Sequence, residues 1–238
     1  SVTANVTVNS VTIQNGGTLQ TGTTGGGANR TVTINGNFVI LNGGTYIHNN
    51  NQVAATTIFN GTENFEPTST FRVNAWSGTG ASLVTGCSSN FGHVTLNWNP
   101  GLFYWNNNGL GYTRTIAGTF TVNTNCATYL DNTAGSKTFS INQLTLNNSY
   151  LRFKQLNDGV ITVNIPGGII INGSSSWLYG VYGTNSDITF NVSTITQNNG
   201  SFYGIYNGDG DVTFNVSSVW IQQDGDFRGI YNTVMYRA

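Results

Sequence analysis

The chain has 238 residues and a net charge of −1, and only 7% of its residues are charged, against roughly a quarter in an average soluble domain. Without a basic surplus there is no field to attract nucleic acid, and no run of about 20 apolar residues could span a membrane, so neither partner is predicted. The abundance of Gly, Asn, Thr and Ser, with three prolines and one methionine, favours strands and turns over helices.

A four-residue motif, apolar–Thr–apolar–Asn, recurs along the chain. Side chains alternate in a strand, so the two apolar residues point inward, the Thr points outward, and the Asn begins a turn in which stacked amides can form a ladder. Clear and degenerate copies lie at residues 6–9, 32–35, 57–60, 94–97, 114–117, 139–142, 161–164, 188–191 and 212–215.

Most copies are followed by a second apolar segment, a polar turn and an aromatic-rich segment. The copies follow one another at steps of roughly 20–27 residues, which is the length of a solenoid repeat, except for one longer step between positions 60 and 97. Three short strands in a unit of this length make one coil of a solenoid. The repeat therefore predicts an all-β fold, a right-handed parallel β-helix (β-solenoid) of about nine coils with three short strands per coil.

The long step from position 60 to position 97 predicts an insertion, so we expect a single solenoid domain over residues 1–238 with an excursion at about 74–92. Cys87 lies in that excursion and Cys126 lies one coil later, where they form either a disulfide that pins the excursion or two separate thiols. Neither end shows a polar cap, which predicts that the coils belong to a longer chain or that copies stack end to end.

The motif copies and the Asn-Gly-Gly-Thr turns at 15–18 and 42–45 resemble the right-handed parallel β-helix repeats of secreted bacterial surface proteins, the adhesin and passenger-domain class. The resemblance covers essentially the whole chain. It implies a secreted or cell-surface protein that works as an adhesin, a fibre or stalk segment, or a carbohydrate-binding or carbohydrate-cleaving domain.

The acids nearest the C-terminus are the best candidates for chemistry. Asp187 and Asp211 occupy equivalent positions before two successive motif Asn residues, so they should stack on adjacent coils, with Asp209 beside them. Carboxylates about 5 Å apart repel one another unless a cation or a shared proton offsets the charge. The group is therefore a calcium site, a pair of catalytic carboxylates or a set of solubilising turn acids, and no other cofactor is predicted.

Arg152 and Lys154 alternate on one strand, where they form either the base of a polysaccharide lyase or a solvated strand face. No motif of a serine hydrolase, zinc peptidase or nucleotide-binding enzyme occurs. We therefore predict no enzyme activity, with a polysaccharide lyase or hydrolase as the alternative.

Outer surfaces of two kinds, threonine pairs and aromatic groups, could bind a ligand. Pairs of threonines on stacked coils, Thr31 with Thr33 and Thr113 with Thr115, are typical of an ice-binding face, although Thr is also a favoured exposed strand residue. The aromatic residues form two further groups, which either stack on sugar rings or cover a core seam. These are a cluster of Trp98, Tyr104 and Trp105, and a ladder of Tyr182, Tyr206 and Tyr231 that recurs once per coil at a nearly constant spacing.

These patterns favour an extracellular structural or adhesive solenoid, a segment of a surface fibre or adhesin. The expected partners are other copies stacked end to end or flanking coils of the same chain, and glycans. The alternatives are a polysaccharide-binding or polysaccharide-cleaving β-helix and an ice-binding solenoid with a Thr face.

Overall fold

The computed structural model describes residues 4–22, 31–50, 57–76, 84–85, 90–97, 112–124, 126–131, 134–155 and 158–232. Within these residues the chain forms strands and no helix. The strands are β1 (Val6–Val8), β2 (Val11–Ile13), β3 (Thr18–Thr21), β4 (Val32–Ile34), β5 (Phe38–Ile40), β6 (Thr45–Asn50), β7 (Thr57–Phe59), β8 (Glu63–Phe65), β9 (Thr70–Trp76), β10 (Val84–Thr85), β11 (His93–Leu96), β12 (Tyr112–Val122), β13 (Ala127–Asp131), β14 (Lys137–Asn147), β15 (Tyr150–Gln155), β16 (Ile161–Ile165), β17 (Ile169–Asn172), β18 (Trp177–Tyr182), β19 (Ile188–Gln197), β20 (Ser201–Tyr206), β21 (Val212–Gln222) and β22 (Asp226–Tyr231).

The described strands pair in parallel in four sheets, each strand hydrogen-bonding to its equivalent one coil away. The sheets are β1-β4-β7-β10, β2-β5-β8, β13-β15-β18-β20-β22, and a ten-stranded sheet that runs from β3 to β21. Parallel stacking of successive coils is the geometry of a β-solenoid, and the predicted fold class is confirmed.

One inward column of the ten-stranded sheet follows the whole stack and supplies much of the core. In the described part of the chain this column has nine levels separated by eight turns, slightly fewer than nine complete coils. Apolar side chains fill it because inward positions are shielded from water on all sides, and burying each one stabilises the fold by about 1.5–3 kcal/mol. Its members are Leu19, Tyr46, Phe71, Val94, Phe120, Leu144, Ile169, Ile195 and Trp220.

The predicted single column of motif copies is wrong. The copies at 6–9, 32–35 and 57–60 lie in the sheet of β1, β4 and β7, and the six later copies lie in the ten-stranded sheet. Val94 pairs with Phe71 and Phe120, so the copy at 94–97 lies in the ten-stranded sheet and not in the column of Val6 and Val32. The copies at 114–117 and 139–142 are shifted by two positions, because Thr115 and Ser140, not Ala117 and Asn142, are in register with Asn164.

The corrected register also accounts for the long step between motif copies. Thr57 pairs with Val84, and Phe71 pairs with Val94, and both separations are those of an ordinary coil. The spacing alone therefore does not require an insertion, and the excursion at about 74–92 stays a prediction. Residues 77–83 and 86–89 of that segment lie outside the described residues.

The shape of a coil changes along the chain, so three short strands per coil describes only its first part. There, a turn with a left-handed glycine, Gly16 (φ 71°) or Gly43 (φ 74°), separates the second strand from the third. In several later coils a bulge takes the place of that turn, as between Ile116 and Thr119, and the strands merge into one of 10 or 11 residues. β16 and β17 remain separated by a turn that contains Gly168 (φ 95°). A new sheet, β13 to β22, then closes the coil.

Candidate functional site

The three predicted acid residues lie at equivalent turns of two adjacent coils, Asp187 on one and Asp209 and Asp211 on the next, and all are exposed. The backbone N–H of Asp211 donates to Asp187 Oδ1 at 2.9 Å, and that of Asp209 donates to Asn185 Oδ1 at 3.3 Å. Asp187 and Asp209 border one surface recess with Asn185 and Ser186. Side-chain oxygens of one coil thus accept from the backbone of the next, which is a turn-stabilising role.

The same arrangement continues one coil earlier. Asp158 Oδ1 accepts from the Thr184 hydroxyl at 2.8 Å and from the Asn185 N–H at 3.2 Å. Within the described ranges, no three His, Cys, Asp or Glu side chains are close enough together to hold a metal ion. A calcium site at Asp187, Asp209 and Asp211 remains a prediction. The hydrogen bonds of these side chains stabilise the turns even when no cation is bound.

Arg152 and Lys154 do not share a solvated face. Lys154 is completely buried, in register with the core residue Val181. Arg152 is half-buried, and its guanidinium carbon lies 3.7 Å from the centre of the Tyr182 ring, a close cation–π contact. The interpretation of these two residues as a solvated strand face is therefore wrong for Lys154.

The threonine pairs fall into different columns. Thr33 is in register with Thr7 and Ile58, and the Thr31 N–H donates to Asn5 Oδ1 at 2.9 Å. Thr113 begins an unbroken column of Thr113, Thr138, Thr162, Thr189 and Thr213. The column of Thr115 continues instead through Ser140, Asn164, Asn191 and Asn215, so paired hydroxyls do not extend along this face.

Asparagine side chains link the coils in ladders. The predicted ladder of motif residues is present where Asn191 bonds to Asn164 and Asn215 to Asn191, both at 2.8 Å, and where Asn60 bonds to Asn35 at 2.9 Å. A longer ladder is not predicted by the motif, because Asn97 belongs to a different column. Each Nδ2 donates to the preceding Oδ1 at 2.6–2.9 Å along Asn74, Asn97, Asn123, Asn147, Asn172 and Asn198.

The predicted tyrosine ladder is a pile of rings on the outer face of β18, β20 and β22. Tyr182 and Tyr206 stack at 5.2 Å with an interplanar angle of 6°, and Tyr231 follows at 5.2 Å and 36°. Arg152 lies 3.7 Å over the Tyr182 ring, and Arg228 lies 4.4 Å over the Tyr231 ring. Because the faces of these rings cover one another, the pile offers solvent mainly ring edges and hydroxyls.

A glycine in each of these strands places the tyrosines. A Cβ on Gly180 would lie 2.5 Å from the backbone oxygen of Gly204 and 2.6 Å from the Ile188 side chain, so no larger residue fits without displacement. The two-residue alternation of the strand is interrupted at this glycine. As a result, Tyr179 and Tyr182 come within 5.4 Å of each other.

Beside this pile, a second aromatic column ends in a recess. Tyr150 and Trp177 are in register, with ring centres 4.9 Å apart, and Ala127 occupies the same column one coil before Tyr150. The recess at this point is lined by Ala127, Thr128, Tyr129, Tyr150 and Arg152. Burial raises the pKa of Tyr150, and the positive charge of the Arg152 guanidinium opposes that shift. Sequence reasoning did not identify this recess.

Several predicted residues lie outside the described part of the chain, namely Trp98, Tyr104, Trp105 and Cys87. Cys126 is completely buried, and its Sγ lies 3.3 Å from the carbonyl oxygen of Leu96. The glycan platform of the first three residues and the Cys87–Cys126 disulfide therefore remain predictions.

The columns and ladders define the class of protein, a β-solenoid repeat protein. Comparisons with protein-family models, with curated proteins and with solved structures give no match. Among the described residues, none belongs to a helix of the length and apolarity needed to cross a membrane. The function is therefore inferred from the surfaces described above.

Proposed function

We propose that this chain is a structural and adhesive segment of an extracellular β-solenoid, part of a surface fibre or adhesin. The observation that supports this most directly is the ladder from Asn74 to Asn198, which joins six consecutive coils through their side chains. These bonds add to the backbone bonds between the same coils. Tension along the axis therefore loads many hydrogen bonds at once, as a fibre segment requires.

The outer surface of the long strands is consistent with a durable extracellular rod. Their outward positions carry Thr, Ser, Asn, Gln, Val and Ile without a charged residue, as in Thr119 and Thr121 of β12 or Thr194 and Thr196 of β19. Such a surface depends little on salt or pH, because it carries no titratable group.

The last described coil provides a surface for the proposed assembly. Within the described residues, β21 and β22 have a sheet partner on one side only. Val219, Ile221 and Ile230 are 46%, 45% and 51% exposed, and Phe214 is only half-buried. A flanking coil, of this chain or of a second copy, would bury these side chains and pair the strand edges.

Immunogold electron microscopy of the producing cells tests the proposal. With antibodies raised against the purified chain, we expect gold on the outside of intact cells, along fibres or at the envelope. Antibody depleted on the purified chain is the control. Labelling that appears only after the cells are permeabilised would contradict an extracellular role.

Polysaccharide binding is the second candidate function, and the recess beside Tyr150 favours it. An open aromatic face next to a guanidinium is a common way to bind a sugar, because the ring packs against C–H groups while the cation donates to oxygens. Binding assays with soluble polysaccharides separate this function from a purely structural role.

A further inference from the structure

The tyrosine ladder of Tyr182, Tyr206 and Tyr231 brings the phenol rings of successive coils together on the outer surface. The three residues are in register in the parallel pairings of β18 with β20 and of β20 with β22. The rings of Tyr182 and Tyr206 have centres 5.2 Å apart and planes only 6° from parallel. Because the two backbones are equivalent, each ring carbon of Tyr182 lies over the same carbon of Tyr206, at about the spacing of one coil.

The backbone holds these rings in place, so their contact is a permanent feature of the fold. Each strand hydrogen-bonds to its equivalent one coil away, which fixes the distance between successive tyrosines. Tyr231 continues the ladder at the same 5.2 Å from Tyr206, with the planes tilted by 36°. Two groups held in this way react with each other far faster than the same groups free in solution.

A second tyrosine stack runs beside this ladder but is shielded from solvent. Tyr179 and Tyr203 have ring centres 5.5 Å apart and planes 17° from parallel, yet the two residues are only 1% and 7% exposed. Tyr182, Tyr206 and Tyr231 are each half-buried, so part of every residue in the outer ladder is open to solvent. A dissolved reagent therefore reaches the outer ladder and not the inner stack.

We propose that Tyr182 and Tyr206 form a site of oxidative cross-linking, where a dityrosine bond covalently joins two adjacent coils. The oxidant is hydrogen peroxide activated by a haem peroxidase, and it takes one electron and one proton from each phenol. The two tyrosyl radicals couple through ring carbons ortho to the oxygen. The hydrogen on each of these carbons then moves to the oxygen and restores the phenol. Two phenols and one peroxide thus give one dityrosine and two water molecules.

The cross-link deepens the structural role, because it adds a covalent bond to the hydrogen bonds that already join the coils. Burial, and after it the neighbouring phenols of Tyr182 and Tyr231, raises the pKa of Tyr206. This phenol is therefore protonated at neutral pH, and its oxidation must remove the proton together with the electron. The inference rests on the proposed function only for the place where the chain meets the oxidant, which is outside the cell.

Treatment of the purified chain with hydrogen peroxide and a haem peroxidase tests the site. Proteolysis before aspartate, at Asp187 and Asp209, separates the three tyrosines of the ladder into different peptides for mass spectrometry. We expect the peptides of Tyr182 and Tyr206 to be joined, with the loss of two hydrogen atoms, in protein that still runs as a monomer on a denaturing gel. Because both rings belong to one chain, dilution of the protein by about tenfold should not lower the yield.

Phenylalanine variants keep the stacked rings and remove the phenol oxygen that the oxidation requires. Tyr182→Phe should abolish the bond to Tyr206 and leave Tyr206 to couple with Tyr231, whereas Tyr206→Phe should abolish both products. Tyr179→Phe is the matched control, since Tyr179 belongs to the shielded stack, and it should leave the yield of the Tyr182–Tyr206 bond unchanged.

The proposal is overturned if the treated wild type contains no bond between Tyr182 and Tyr206, or if its dityrosine joins separate molecules. A yield that falls on dilution would also overturn it. Each of these results concerns the purified chain alone, so surface labelling of intact cells would still decide the proposed extracellular function.

Discussion

The long asparagine ladder makes a quantitative prediction about stability. Asn147 lies in its middle, where its Nδ2 donates to Asn123 Oδ1 at 2.8 Å and its Oδ1 accepts from Asn172 Nδ2 at 2.9 Å. Asn147→Ala removes both bonds. At about 0.5–1.5 kcal/mol for each bond, the free energy of unfolding should fall by about 1–3 kcal/mol. Water can partly replace the lost partners, because these side chains are only half-buried.

Asn198 provides the matched control, because it ends the ladder and makes one bond, to Asn172 Oδ1 at 2.7 Å. Asn198→Ala should cost about half as much as Asn147→Ala if the ladder bonds contribute separately. Urea unfolding of the purified proteins, followed by tryptophan fluorescence and circular dichroism, measures both changes. The additive ladder is refuted if Asn147→Ala costs no more than Asn198→Ala, or if neither substitution changes stability.

Burial lowers the pKa of His48 to about 4, so the unfolded chain, with a His pKa of about 6.5, binds the proton more readily. The folded state should therefore lose about 3 kcal/mol from this residue as the pH falls from about 6.5 to about 4, and His48→Gln should remove that part of the slope in urea unfolding at pH 7 and pH 4. A Cβ on Gly204 would lie 2.5 Å from the Val212 side chain, whereas one on Gly229, the equivalent glycine of the next coil, meets nothing within 4 Å. Gly204→Ala should destabilise the protein by about 1–3 kcal/mol and Gly229→Ala should not, and thermal melts in which the two fell equally would contradict the packing argument.

The fold was accessible from the sequence because every coil repeats the same pattern, but the register was not. Three columns of the solenoid carry an apolar–Thr–apolar–Asn strand, those of Asn35, Asn191 and Asn97, so the motif alone does not identify the column of a given copy. Only the pairing of Val94 with Phe71 and Phe120 distinguishes the columns. The spacing of the asparagines indicates the correct column. Asn97 follows Asn60 by more than one coil, whereas it lies one ordinary coil from both Asn74 and Asn123.

The candidate site shows a different limit. The ladder of Tyr182, Tyr206 and Tyr231 is predictable because its residues recur at a nearly constant spacing. The recess is not, because it depends on a small residue, Ala127, in a position where a ring would continue the pile. The burial of Lys154 could not be predicted for a related reason. The alternation of inward and outward side chains is interrupted in β15 and β18, and this interruption turns both Lys154 and Val181 toward the core.

The contrast between inner and outer columns explains where a solenoid can acquire a binding site. An inner column stays mostly apolar, since each residue packs against the coils before and after it, although Lys154 and Gln197 are also buried in such columns. An outer column has no such constraint, and in one column of this protein Ala127, Tyr150, Trp177, Ser201 and Asp226 occupy equivalent backbone positions. A single substitution there changes the local surface without disturbing the stack. Repeated ladders thus join the coils, and an outer column whose residues change from level to level, as between Tyr150 and Ala127, is where a solenoid can acquire a binding site.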